Sequence, residues 1–213
     1  MASLPIRDKK QDHLLTGENA ALIVIDYQPV QVNSIASMDR QLLLNNIRGT
    51  VNAAKLYDMP IILSTVNVKT GLNKETVPQL RKHLEGVPSY DRTTINSWED
   101  KEFVEAVKAI GRKKLIMTAL WTEACLTFPV MDALQEGYEV YIVVDAVGGT
   151  SKEAHDAAIM RMVQAGAKPI SVVQLFCELQ RDWNRTETAE GFMKLFTELG
   201  GTAGIQFGYD LAE

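Results

Sequence analysis

Short apolar runs alternate with longer helix-patterned segments along most of this chain, and that alternation limits the possible folds more than any other feature. Ala20–Ile25 (AALIVI), Ile61–Val66 (IILSTV) and the runs at 114–120, 139–144 and 170–173 are too short for typical helices. They are also too uniformly apolar for strands with one face in water. Between them, residues 38–57 place Leu42, Leu43, Ile47, Val51, Ala54 and Leu56 at roughly helical spacing, and 100–110, 123–135 and 151–164 carry similar patterns. Pro60 stops the first helix, and Gly111, Gly137 and Gly166 stand where others should end. Strands buried on both faces need a helical layer on each side. The expected fold class is therefore α/β, a three-layer α/β/α arrangement with a mainly parallel central sheet.

Such a sheet also predicts where chemistry sits, because ligands bind beyond the carboxyl ends of its strands. Asp26, Cys125 and Asp145 fall at or just after those ends, so residues far apart in sequence can share one crevice. Cys125 is expected in the first turn of the 123–135 helix, with Thr122 as N-cap and Cys125 at the third helical position. Free N–H groups and the helix dipole would favour its thiolate there. Pro129 cannot donate to the Cys125 carbonyl, so the helix is expected to kink or loosen one turn past the sulfur. Residues 67–94 hold Gly71, Pro78, Gly86 and Pro88 and read as an insertion of loop plus short helix over the site. Asp145 reads as a loop or cap anchor, and Cys177 as core packing.

Composition narrows the function classes. With 213 residues, 46% of them hydrophobic, the chain can bury one substantial core, read as a single domain over 20–213 preceded by an N-terminal extension at 1–19. A net charge of −5 and the lack of a basic cluster point away from nucleic acid. The first 19 residues are too polar for a signal peptide, and no run approaches the ~20 apolar residues of a membrane span. No membrane association is expected, and the expected location is cytoplasmic. Cys125 and Cys177 lack disulfide-framework or zinc spacing, and His13, His83 and His155 are scattered, so neither metal nor cofactor is expected.

Three segments carry a family resemblance: ALIVIDYQ, with Asp26-x-Gln28 after the first strand; LIMTALWTEACL, ending just after Cys125; and Val143-Val144-Asp145-Ala146 at a later strand end. In this order the chain resembles the isochorismatase-like cysteine hydrolases, which include nicotinamidases and N-carbamoyl amide hydrolases. RTTINSW at 92–98 and ELQRDW at 178–183 look most like the YcaC-like branch. The resemblance implies a Rossmann-like isochorismatase-type fold and a catalytic triad of Asp26, Arg92 and Cys125, with Arg92 where nicotinamidases have Lys. Guanidinium does not release its proton in proteins, so Asp26 would carry the acid–base work. The resemblance also implies an oxyanion hole formed by the backbone N–H groups of Trp121 and Cys125, with a cis peptide between Leu120 and Trp121. Gln28, Trp98 and Trp121 are the expected substrate-pocket residues, and each tryptophan either walls that pocket or fills core.

The implied activity is metal-independent cleavage of a small amide or carbamoyl C–N bond through a Cys125 acyl-enzyme. Nicotinamidases of this fold carry an Asp-x-His metal set, whereas STVNVKT at 64–70 has no His, which disfavours nicotinamide. Isochorismate is disfavoured because the vinyl-ether hydrolases of the family lack the nucleophilic Cys. The alternative is a non-hydrolytic oligomer that uses the same pocket to bind a ligand or to respond to oxidants through a low-pKa Cys125. Assembly into a homo-oligomer, a tetramer or larger, is implied as well. The apolar stretch 192–207 offers surface for it, or else packs on its own domain.

Overall fold

All six residues of Ala20–Ile25 (β1) are fully buried, because this strand lies in the middle of a sheet with helices on both faces. The computed structural model describes residues 7–199 and 201–210. In chain order the elements are β1, α1 (Pro29–Asn33), α2 (Arg40–Leu56), β2 (Ile61–Val66), α3 (Pro78–Arg81), β3 (Ser89–Arg92), α4 (Lys101–Ile110) and β4 (Lys114–Ala119). A π turn (Thr122–Leu126) then leads into α5 (Thr127–Gln135), β5 (Glu139–Val143), α6 (Lys152–Gln164), β6 (Lys168–Ile170), α7 (Val172–Gln180), α8 (Ala189–Leu199) and α9 (Gly201–Asp210).

The strand order is β3-β2-β1-β4-β5-β6, and every pairing is parallel. Alternation along β1 divides the core. Ala20, Leu22 and Val24 join one apolar cluster with α2, α7 and α8, while Ala21, Ile23 and Ile25 join the other with α4, α5 and Met162 of α6. The chain runs outward from β1 to β3 and then crosses to β4 on the other side of β1. The β1/β4 boundary is thus the switch point where a crevice opens. Local signals end the helices as read: Asp39, Asp100 and Ser151 accept backbone N–H groups at the starts of α2, α4 and α6, and Gly111 closes α4 at φ 70°.

Three expectations need revision, and one open alternative is settled in part. The 67–94 insertion contains an edge strand, β3, whose sequence Ser-Tyr-Asp-Arg is too polar to read as a buried run. The last strand is Lys168–Ile170, not 170–173. Ser171 caps α7 through Gln174 N, and Val172, Leu175, Phe176 and Leu179 form that helix's buried stripe. Residues 7–19 are bound into the domain: Lys114 Nζ donates to the carbonyls of Asp12, His13 and Leu14 at 2.5, 2.8 and 3.1 Å, and Leu15 is fully buried. Residues 1–6 lie outside the described residues. Finally, α8 packs on its own domain through Phe192, Leu195, Phe196 and Leu199, so the intramolecular reading of 192–207 holds for α8. Beyond Gly200, which lies outside the described residues, α9 leaves Ile205 and Tyr209 exposed.

Candidate active site

Asp26 is the first residue beyond β1 and takes a left-handed conformation, φ 61°. That backbone is uncommon for a residue with a side chain and costs of order 1 kcal/mol or more. Its N–H donates to Ser64 O at 3.0 Å, and its carboxylate is fully buried. Arg92, at the end of β3, reaches across β2 to meet it. Nη1 donates to Oδ1 and Nη2 to Oδ2, both at 2.8 Å, giving a bidentate pair with no side-chain exposure on either partner. Ser64 Oγ, Thr65 O and Ile95 O take three more guanidinium hydrogen bonds at 3.0–3.1 Å. These five bonds orient the plane of the guanidinium and leave only its buried Nε without a partner.

Cys125 comes from the neighbouring central strand. Leu120 N donates to Ile25 O, the Leu120–Trp121 peptide is cis, and the π turn then carries the sulfur over β1. The Asp26 carboxylate and the Trp121 backbone N–H both act on the thiol, the first raising it and the second lowering it. The expectation for Thr122 and the helix start is corrected. Trp121 is the N-cap, Thr122 caps nothing, and Leu126 N donates to Trp121 O in a five-residue turn. The loosened segment carries the sulfur itself, one turn before Pro129.

The expected thiolate is corrected too. Burial and the Asp26 carboxylate push the Cys125 thiol up to about 12, against the smaller opposing pulls of Arg92 and the Trp121 N–H. Burial also raises the Asp26 carboxyl above its ordinary value, with Arg92 pulling it back. The sulfur therefore holds its proton tightly, beside a carboxyl made more basic by its surroundings. Arg92 stays charged, held by Asp26. This set can move a proton from sulfur to carboxylate while the positive charge stays in place.

The remaining sequence-predicted residues divide. Trp121 is half-buried at the rim, its indole N–H donating to Ser34 Oγ at 2.6 Å. Gln28 is corrected from pocket contact to clamp. It is fully buried, its Nε2 donating to Val66 O and Lys74 O and its Oε1 accepting from Val66 N, which fastens the 67–77 loop to β1. Of its two readings, Trp98 takes the core one. It packs edge-on against Phe103 and Tyr138, and its indole N–H binds Glu136 at the far end of α5 from Cys125. Asp145 Oδ1 accepts Val172 N at the start of α7, an anchoring contact as read. Cys177 is exposed, a correction to its core reading. A separate cleft of ≈ 590 Å³ lies at the opposite end of the sheet, lined in part by Asp12, Tyr57, Arg112 and Arg181, and shares no residue with the site. Sequence reasoning missed Ser64 and the carbonyls of Thr65 and Ile95 as guanidinium acceptors, because no spacing rule links them to Arg92.

An all-parallel α/β sheet with an Asp–Arg pair and a cysteine converging at its switch point defines a class, and residues 20–174 match the isochorismatase domain family. The chain belongs to the isochorismatase family of hydrolases. Among its relatives is the Escherichia coli protein described as probable hydrolase YcaC, 34% identical over 184 residues, spanning 86% of this chain and 87% of that protein. The structure of YcaC from Pseudomonas aeruginosa with hexane-2,5-diol and covalent acrylamide superposes with a TM-score of 0.87 at 31% identity, covering 94% of this chain and 98% of that one. The Escherichia coli YcaC structure, described as an octameric hydrolase of unknown specificity, gives 0.86 at 32% identity, covering 96% and 100%.

Proposed function

We propose that this chain is a cysteine hydrolase that cleaves a small amide or carbamoyl C–N bond with its own three side chains and no metal step. The convergence of Cys125 on the buried Asp26–Arg92 pair carries this reading. As the sulfur attacks the carbonyl carbon, Asp26 takes its proton and the Trp121 and Cys125 N–H groups receive the oxyanion. Collapse breaks the C–N bond, and Asp26 hands its proton to the departing amine. A water then gives a proton to Asp26 and attacks the thioester. That proton returns to sulfur as the acid leaves. Arg92 keeps its charge throughout, facing the carboxylate at rest and the thiolate once Asp26 is protonated.

The covalent acrylamide of the Pseudomonas relative supports a nucleophile within reach of small uncharged molecules. The oxidant-sensing alternative needs a thiolate at rest and draws no support from a thiol raised to about 12. A panel of short aliphatic amides and carbamoyl compounds tests the proposal. The expected result is turnover by the native protein, with an acyl adduct on Cys125 caught by rapid quench and mass spectrometry. A panel with no turnover and no adduct sinks it.

Assembly into a homo-oligomer, a tetramer or larger, is part of the same reading, supported by the octameric Escherichia coli relative and the exposed apolar side chains of α9. Sedimentation should return a mass several times that of one chain. A single-chain mass at all working concentrations removes the idea.

A further inference from the structure

The two residues that join Trp121 to the rest of the π turn are tied to the start of α6, away from the Asp26–Arg92 pair. Thr122 is fully buried. Its N–H donates to Gly148 O at 2.9 Å, its carbonyl accepts Thr127 Oγ1 at 2.7 Å, and its hydroxyl lies 2.9 Å from His155 Nδ1 in the first turn of α6. Glu123 Oε1 accepts the N–H and hydroxyl of Thr150 at 3.0 and 2.6 Å. The segment is close-packed: a Cβ on Gly149 would stand 2.6 Å from Glu123 Oε2.

We infer that neutral His155, acting through Thr122, is a positioning residue for the Cys125 turn, and that a proton on His155 weakens the hold of the Trp121 N–H on the sulfur. The inference rests on reading Cys125 as the nucleophile but on no particular substrate. Among the described residues the Thr122 hydroxyl has no other hydrogen-bond partner, so it donates to Nδ1 and sets the tautomer with the proton on Nε2. Protonated imidazole has two donors and no acceptor. Nδ1–H then points at Oγ1, and the hydroxyl hydrogen must turn away from the ring and give up its present acceptor. The adjustment falls on the residue next to the Trp121 N–H.

The charged groups facing the ring are Glu123 on the π turn and Asp156 on α6, which favour the charged form, and Lys152 on α6, which opposes it. Burial outweighs the two acids and holds His155 below the ordinary histidine value. The ring is therefore neutral at physiological pH and charges on the acid side.

The test is the rate of Cys125 alkylation by acrylamide, read by mass spectrometry on the full chain and compared with His155→Asn from about pH 5 to about pH 8, the range of histidine titration. Asn keeps an acceptor near the Nδ1 position and does not titrate. Taking the ratio of the two rates at each pH removes the slope of thiol ionisation itself. The expected ratio, native over variant, is near one on the alkaline side and falls about fivefold toward the acid end, the scale of one hydrogen bond. Thr122→Val should erase the same acid-side fall while leaving His155 in place.

A flat ratio, or one displaced equally at every pH, overturns the inference and leaves His155 with a packing role. If His155→Asn does not fold, Thr122→Val decides by the same criterion. Amide turnover is read separately. No turnover with the acid-side fall present defeats the hydrolase proposal alone, whereas turnover with a flat ratio defeats this inference alone.

Discussion

Cys125→Ala is expected to lower amide turnover on the order of 10⁶-fold, the scale seen when a nucleophile that works as a unit with its base is removed. Asp26 and the oxyanion N–H groups remain, but a carboxylate facing a methyl group has no sulfur to activate. Folding should survive. The side chain lost is small and 7% exposed, so unfolding free energy at neutral pH should shift by about 1 kcal/mol or less. Alkaline stability separates this variant from a merely inactive one. The thiol ionises near 9.0 when unperturbed and at about 12 in the fold, so between those values the native state holds a proton that the unfolded chain has released. Stability from the thiol is therefore fully present below about 9 and lost as pH rises toward about 12. Resistance of the native protein to denaturation should fall across that window more steeply than that of Cys125→Ala. Residual turnover in the variant above that of a blank preparation would rule out the acyl-enzyme, and equal alkaline slopes would rule out the buried thiol.

Asp26→Asn should lose activity and stability together, for two separable reasons. The base disappears, which typically costs about 10²–10⁴ in rate. The amide keeps the shape but no charge, and so leaves the Arg92 guanidinium buried without its counter-ion. Breaking one side of a buried pair costs about 3–5 kcal/mol. For a domain of this size that corresponds to a melting point lower by roughly 6–20 °C. Asp26→Asn combined with Arg92→Met removes both charges and keeps at position 26 a residue that tolerates the left-handed backbone, and replacing both partners of a buried ion pair is often far less costly than removing one. The double variant should melt well above Asp26→Asn yet stay inactive. Full turnover in Asp26→Asn would end the assignment of Asp26 as base, and a double variant no more stable than the single would show that the two charges are not coupled. Arg92→Lys is a sharper probe of geometry. It keeps the charge but gives up the bidentate contact and the fixed plane set by Ser64, Thr65 and Ile95.

Legibility followed the range of each signal. β1, β2, β4 and β5 were readable because each is a short, mostly apolar run bounded by turn or helix signals. β3 was not, because an edge strand paired on one side only can be Ser-Tyr-Asp-Arg and look like loop. The start of α7 was misread as strand because Val172 and Val173 are β-branched, and only the cap at Ser171 shows that a helix begins there. At the site, Asp26 and Cys125 could be named from their places after strands. Gln28 and Trp98 could not be assigned, because a buried amide saturated by Val66 and Lys74 and an indole bonded to Glu136 look the same in sequence as free pocket residues.

The amino-acid sequence by itself determined the layering of helices on a parallel sheet, the order of strand ends, and which ends carry a carboxylate and a sulfur. Those properties reside in periodicity and in residues that are neighbours along the chain. Only the tertiary structure decided that Arg92 spans β2 to grip Asp26, that residues 7–19 close onto Lys114, that the sulfur rides a π turn, and that its proton stays on at rest. Each of these depends on burial and on hydrogen-bond partners distant in sequence. The balance between desolvation and pairing exists only once packing has excluded water.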